Sequence, residues 1–105
     1  MAKRIDQIDV NVPVIVQTVG GDLVLRGRGR GEMIVDGDNP QIENIGGGQP
    51  YVVHCGGDCR VFLPPEMKKV VVYHVGGDAR VADLEGTVEI ESIGGDLTIG
   101  HVGRA

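Results

Sequence analysis

The sequence contains no tryptophan, one phenylalanine and two tyrosines, so any core must be built from aliphatic side chains. Nowhere does an apolar run approach the roughly eighteen residues of a membrane helix, and the start, MAKRIDQIDVNV, has no apolar run of signal-peptide length. No membrane segment is expected in this chain, and the expected location is cytoplasmic. There are only two cysteines, too few for a four-ligand zinc site, and in a cytoplasmic protein they are expected as reduced thiols. Positive charge is in the minority, with ten Lys and Arg against fifteen Asp and Glu and a formal net charge of -5. That balance argues against a surface made to neutralise phosphates, so nucleic acid is not an expected partner.

Glycine is abundant, with eighteen residues in a chain of 105, a length suited to a single domain over 1–105. The stretch from Val75 to Val102 shows how it is used. It reads Val75-GGD-Ala79-Arg-Val81-Ala-Asp, Leu84-EGT-Val88-Glu-Ile90-Glu-Ser, Ile93-GGD-Leu97-Thr-Ile99-Gly-His and then Val102, one nine-residue pattern with apolar side chains at the first, fifth and seventh places. Val10, Val14, Val16, Val19, Leu23 and Leu25 fit the same template, while Ile5 and its polar neighbours suit a capping strand. Irregular corners fall within 27–50, where the anchors are Val35, Ile42, Ile45 and Val52, and within 63–67, where Pro64 and Pro65 cannot donate to a ladder.

The Gly-Gly-Asp triplet recurs at 20–22, 56–58, 76–78 and 94–96, with Asp36-Gly-Asp38 as a variant, about every second nine-residue unit. The implied repeat has two short strands separated by corners that alternate between GGD and EGT-like types. Such repeats bury little alone and form a continuous core when stacked. The expected fold is all-β, a single-domain parallel β-solenoid of about five coils with two nine-residue units per coil. The competing architecture is an antiparallel β-meander or sandwich with hairpin turns at GG and GD. The strings VGGDLVL, HVGGDARVADLEG and SIGGDLTI resemble the toastrack β-solenoids, a bacterial adhesin-like family, and more loosely the bactofilins. This resemblance extends over nearly the whole chain and implies a non-enzymatic solenoid used for interaction or assembly.

Stacking aligns Asp22, Asp38, Asp58, Asp78 and Asp96 in one column, with neighbouring rungs about 4.8 Å apart. A calcium site could be built from such a column, but nonapeptide calcium solenoids carry glycine and aspartate on both edges, and here the opposite corners hold Glu85-Gly86-Thr87 and Gly103-Arg104. The simpler reading has each Asp accepting N–H bonds within its own turn while glycine supplies a positive φ. His54 and His74, each just before a GGD corner, are expected as stacked neighbours facing solvent, the pair a zinc ion would use, with His101 on the opposite edge and no shared third ligand. Cys55 and Cys59 stand where the next coil has Val75 and Ala79, so they are expected to be small buried side chains, with a disulfide across the corner the outcome in an oxidising setting. Arg26, Arg28 and Arg30, interleaved with glycine, resemble segments that contact single-stranded RNA; no aromatic accompanies them, and pairing with Glu32 or Asp36 is expected instead. No nucleophile with its base, phosphate-cradling loop or carboxylate pair is recognisable, so neither an enzyme nor a bound cofactor is expected.

Alternation places Ile15, Ile34, Tyr51, Val53, Val71 and Tyr73 outside the sheet that enters the GGD corners, and Val24, Arg26, Arg60, Phe62, Arg80 and Thr98 outside the other. The first set is a larger apolar column than a monomer usually exposes, and it is read as an interface. Val102 joins it, because Val102-Gly-Arg-Ala begins a new unit with no polar capping repeat and leaves backbone groups unpaired, so that either the ends meet in an oligomer or the natural chain continues. The expected function is a structural interaction module that self-associates into a homo-oligomer, or binds another protein, through that face and the C-terminal end. The alternative is a metal-binding module using the aspartate column (Asp22, Asp58, Asp78, Asp96) for calcium or the His54 and His74 pair for zinc.

Overall fold

Valine-rich stretches separated by glycine corners form strands, because β-branched side chains suit a pleated surface while paired glycines interrupt it. The computed structural model describes residues 2–28, 31–43, 50–100 and 102–104, with side chains for 7–28, 31–43 and 50–100, and no helix occurs among them. The strands are β1 (Ala2–Gln7), β2 (Val14–Val19), β3 (Leu23–Gly27), β4 (Glu32–Gly37), β5 (Gln41–Glu43), β6 (Tyr51–Cys55), β7 (Cys59–Leu63), β8 (Lys69–Val75), β9 (Ala79–Ala82), β10 (Leu84–Ile93), β11 (Leu97–Ile99) and β12 (Val102–Arg104). They form two mixed sheets packed face to face as a sandwich. An entry sheet, whose strands lead into the GGD corners, has the order β12-β10-β8-β2-β6-β5; an exit sheet has the order β1-β4-β7-β3-β9-β11.

Each GGD corner carries the chain from the entry to the exit sheet, so β2–β3, β6–β7, β8–β9 and β10–β11 are four rungs with parallel pairing between neighbours. Their spatial order is not the chain order. The first rung, β2–β3, lies between β6–β7 and β8–β9. The chain turns back after β3, where Gly31 has φ 65°, and β4 and β5 run from exit to entry sheet antiparallel to β7 and β6. The β1 strand then pairs antiparallel with β4 at the edge. The succession of coils expected from the repeat is therefore corrected to parallel rungs out of order, closed at one side by an antiparallel cap. The connection through Pro64-Pro65-Glu66-Met67 is longer than its counterpart for this reason: it steps over the inserted rung, two rung spacings of about 4.8 Å, whereas β9 reaches the adjacent β10 through Asp83 alone. Asp83 makes that tight corner at φ 61°, and the EGT expected as a corner lies inside β10.

The core between the sheets is aliphatic, with Val14, Val16, Leu23, Leu25, Met33, Val35, Leu63, Val72 and Val81 essentially inaccessible. Two of the residues expected outside belong to it. Tyr51 and Val53 are 8% and 0% exposed, and Val52 faces out instead. The cause is a one-residue difference in strand length. In β2 the inward residues before the corner are Val16 and Val19, in β8 Val72 and Val75; in β6 they are Val53 and Cys55, and the pairing of β2 with β6 shifts register between Val16 and Thr18. Counting back from the GGD corner with the longer spacing inverts Tyr51, Val52 and Val53 and leaves Cys55 inward. Ile34 is also relocated: it lies in the exit sheet, opposite Phe62.

This register has a direct test. Val53→Thr buries a hydroxyl among apolar side chains and is expected to cost about 1–3 kcal/mol in urea unfolding, whereas Val52→Thr should stay within about 0.5 kcal/mol of the parent. The reverse ranking would restore the original direction of β6.

Candidate functional site

The corners stack in the order Asp38, Asp58, Asp22, Asp78, Asp96, so the aspartate column exists, but its chemistry differs from a set of separate turns. The backbone N–H of Asp22 donates to Oδ1 of Asp58 at 3.0 Å, that of Asp78 to Oδ1 of Asp22 at 2.9 Å and that of Asp96 to Oδ1 of Asp78 at 2.8 Å. Each carboxylate reaches across to the next rung rather than back into its own turn. Charge-assisted bonds of this kind are shorter and stronger than neutral ones, and they run beside a backbone ladder in which Gly21 N–H donates to Gly57 C=O, Gly77 to Gly21 and Gly95 to Gly77.

The two glycines leave room for this arrangement. A Cβ at Gly20, Gly76 or Gly94 would fall on the carbonyl of the glycine stacked beside it, and a Cβ at Gly21, Gly77 or Gly95 would fall on the carboxylate of Asp58, Asp22 or Asp78. Space decides here, not backbone conformation, since among the described residues positive φ is found at Asn39, Asp83 and Gly31 and not in the triplets. The triplet is thus one device: a bare backbone to stack on, a gap for a carboxylate, and the carboxylate that fills the next gap.

In the column one oxygen each of Asp58, Asp22 and Asp78 is committed to a backbone N–H, and no cluster of three or more His, Cys, Asp or Glu is placed to hold an ion among the described residues. His54 and His74 are not stacked neighbours. Thr18 pairs with both, because the inserted rung separates them by two strand spacings, about 9.6 Å. His101 and Arg30 lie outside the described residues, as does Ile45. Cys55 and Cys59 are buried as expected, but they are joined by a disulfide across their corner, with Cα atoms 6.0 Å apart, a separation that suits such a bond. Arg26 pairs with Asp83 at 3.2 Å, and Arg28 lies over the ring of Phe62 at 5.7 Å, an aromatic partner contributed by another rung.

The outer face of the entry sheet keeps part of the expected apolar column. Val71, Ile15 and Val52 form a row across β8, β2 and β6, bounded by Glu89 on one side and Glu43 on the other. With Tyr73, Pro13 and Pro50, Ile15 and Val71 line a shallow open groove of about 570 Å³. Tyr73 is 39% exposed, while Val71 is nearly covered at 9%.

The largest departure lies at the β11 end of the stack. Leu97 and Ile99 pair with Ala79 and Val81 and take the inward direction, yet they are 42% and 39% exposed where Ala79 and Val81 are each 1%. Among the described residues no strand lies beyond β11 in its sheet, and β12 pairs with β10 from Leu84 to Thr87, short of the half that leads to the corner. Val102 sits in this short edge strand, and its side chain is outside the described residues. Alternation gives Leu97 and Ile99 their direction; that no further rung covers them depends on where the stack ends, which periodicity does not encode. No family profile, curated protein or solved structure matches the chain, and no described helix is long and apolar enough to cross a membrane.

Two tests follow from the corner. Gly77→Ala places a methyl on the Asp22 carboxylate, and Asp22→Ala alone removes the bond to the Asp78 N–H, worth about 1 kcal/mol at this exposed site. The double variant is expected to lose less stability in a urea-monitored mutant cycle than the two single losses added together. Reducing the Cys55–Cys59 bond releases a short loop and is expected to lower stability by about 2 kcal/mol on the chain-entropy model. Combining Cys55→Val with Cys59→Ala, the residues of the β8–β9 rung, should give a folded protein whose midpoint ignores reductant.

Proposed function

We propose that this chain is a non-enzymatic structural module, a short rearranged relative of the β-solenoids, that self-associates through the open end of its stack. The observation that carries the reading is the exposure of Leu97 and Ile99, two large side chains pointing in the core direction at a sheet edge with no strand beyond it among the described residues. An unpaired edge with apolar side chains on its inner face gains both hydrogen bonds and burial when another strand covers it. The opposite end lacks this drive. There the β1 edge strand carries Lys3, Arg4 and Asp6 in its sequence, and charged edges discourage pairing. The likeness of the GGD repeats to toastrack domains agrees with an assembly role. The groove around Ile15, Val71 and Tyr73 is the second surface of the same reading.

Mass in solution decides between the two surfaces. The parent is expected to be a dimer or larger at micromolar concentration, Leu97→Asp combined with Ile99→Asp to be a monomer with an unchanged urea midpoint, and Tyr73→Asp to leave the mass as it was. A parent that remains monomeric at millimolar concentration ends the proposal; dissociation by Tyr73→Asp alone moves it to the outer face.

A further inference from the structure

Every rung junction in the stack is made with the same set of hydrogen bonds. The first glycine N–H of a corner donates to the carbonyl just before the neighbouring corner: Gly20 to Cys55, Gly76 to Val19, Gly94 to Val75. The second glycine N–H donates to the second glycine's carbonyl: Gly21 to Gly57, Gly77 to Gly21, Gly95 to Gly77. The third residue's N–H donates to a carboxylate: Asp22 to Asp58, Asp78 to Asp22, Asp96 to Asp78. The first three N–H groups of each corner therefore share a direction, while the N–H after the aspartate runs the other way, Cys59 to the Asp22 carbonyl, Leu23 to that of Asp78 and Ala79 to that of Asp96. Carried one step further, the shared direction makes Ile93 C=O, Gly95 C=O and the Asp96 carboxylate the next acceptor set, at the exposed end and beside Leu97 and Ile99.

From this we infer that the open end is a receptor for one more rung supplied by a partner: an extended segment with a Gly-Gly corner between apolar residues, bound parallel to β10 and β11. The inference rests on the open end being the working surface. The partner's chemistry follows from the junctions already present. Its first corner residue must be glycine, because a Cβ there would strike the Gly94 carbonyl as one at Gly94 would strike that of Gly76. Its second must be glycine, because a Cβ would strike the Asp96 carboxylate as one at Gly95 would strike that of Asp78. Its third needs only an N–H, so proline alone is excluded. Apolar residues before the corner and at the first and third places after it would cover Ile93, Leu97 and Ile99 as Val75, Ala79 and Val81 meet them from the other side.

A folded second copy is a poorer match for the corner. Its open end repeats the same three corner acceptors against one corner donor, the Leu97 N–H, and its capped end offers antiparallel strands, so two copies joined here bury Leu97 and Ile99 without reproducing the bonds of a parallel corner. A free Gly-Gly segment supplies both, and it should compete with self-association. This is recognition by strand addition, in which main-chain bonds give affinity and steric fit at alternate positions gives specificity.

The probe is a fluorescein-labelled synthetic peptide with the sequence of residues 70–81, VVVYHVGGDARV, titrated with the whole chain and followed by anisotropy. The parent is expected to bind it, to bind the peptide carrying Gly77→Ala about tenfold or more weakly, and to lose mass as the peptide displaces its partner copy. In the Asp96→Ala chain, which removes a carboxylate at the end of the ladder and should leave the urea midpoint in place, discrimination between the two peptides is expected to collapse. Equal binding of both peptides by the parent, or no binding, overturns the inference while leaving self-association to its own mass measurement. Binding that survives Leu97→Asp places the peptide elsewhere and overturns the inference in the same way.

Discussion

The constraint on which this structure depends is that backbone lies directly on backbone at the corners. Strands in adjacent rungs can pair along their length only if the turns between them stack at the same spacing, and a side chain at either glycine would force neighbouring corners apart. Removing two Cβ atoms leaves a channel alongside the stacked peptides, and the aspartate carboxylate occupies it. The lateral bonds are therefore made between rungs that are 18, 36 or 56 residues apart in the chain, and not inside a turn. A triplet that looks like local turn chemistry is in fact a property of the stack, since a single corner in isolation would have nothing for its carboxylate to reach.

Much of the direction of individual residues could be read from the sequence. The apolar places from Val75 to Val88 are buried as the nine-residue template requires, the aspartates fall in one column, and residues 2–7 form a strand at the edge. What could not be read has identifiable causes. All GGD rungs offer nearly the same bonds to a neighbour, so the sequence contains no label saying that β2 should prefer β6 and β8, and the order of rungs is settled by the length of the connections instead. The inversion of Tyr51, Val52 and Val53 comes from one missing residue in β6, which is ambiguous because the strand can be counted from either of its ends. Glycine was read for its conformational freedom when its small size was the point. For the candidate site, the carboxylate column was legible, whereas the exposure of Leu97 and Ile99 depends on the absence of a further rung, and the separation of His54 from His74 depends on an insertion between them.

The two ends of the stack are built from opposite principles. One is finished by strands that reverse direction, which breaks the parallel ladder and ends it in a strand rich in charge. The other keeps the parallel direction through β11 and presents the Ile93 and Gly95 carbonyls and the Asp96 carboxylate beside Leu97 and Ile99. Three of the four corner N–H groups point the same way and the fourth points back, so the two sides of a corner are not equivalent, and the carboxylate lies on one of them alone.

The placement of β2–β3 in the middle of both sheets also bears on how the chain reaches its fold. The rung that is synthesised first has neighbours on both sides that are synthesised later, the last of them at Ala82. A growing chain cannot assemble this sandwich by adding each coil to the outside of the last, as a sequential solenoid could; one side of residues 14–27 stays unpaired until β8–β9 exists. Contacts of such long sequence separation carry a large loop-closure cost before they are rewarded, which slows folding and prolongs the exposure of unpaired valine-rich strands. The same insertion that places the first rung at the centre of both sheets leaves its pairing incomplete until the third rung is made.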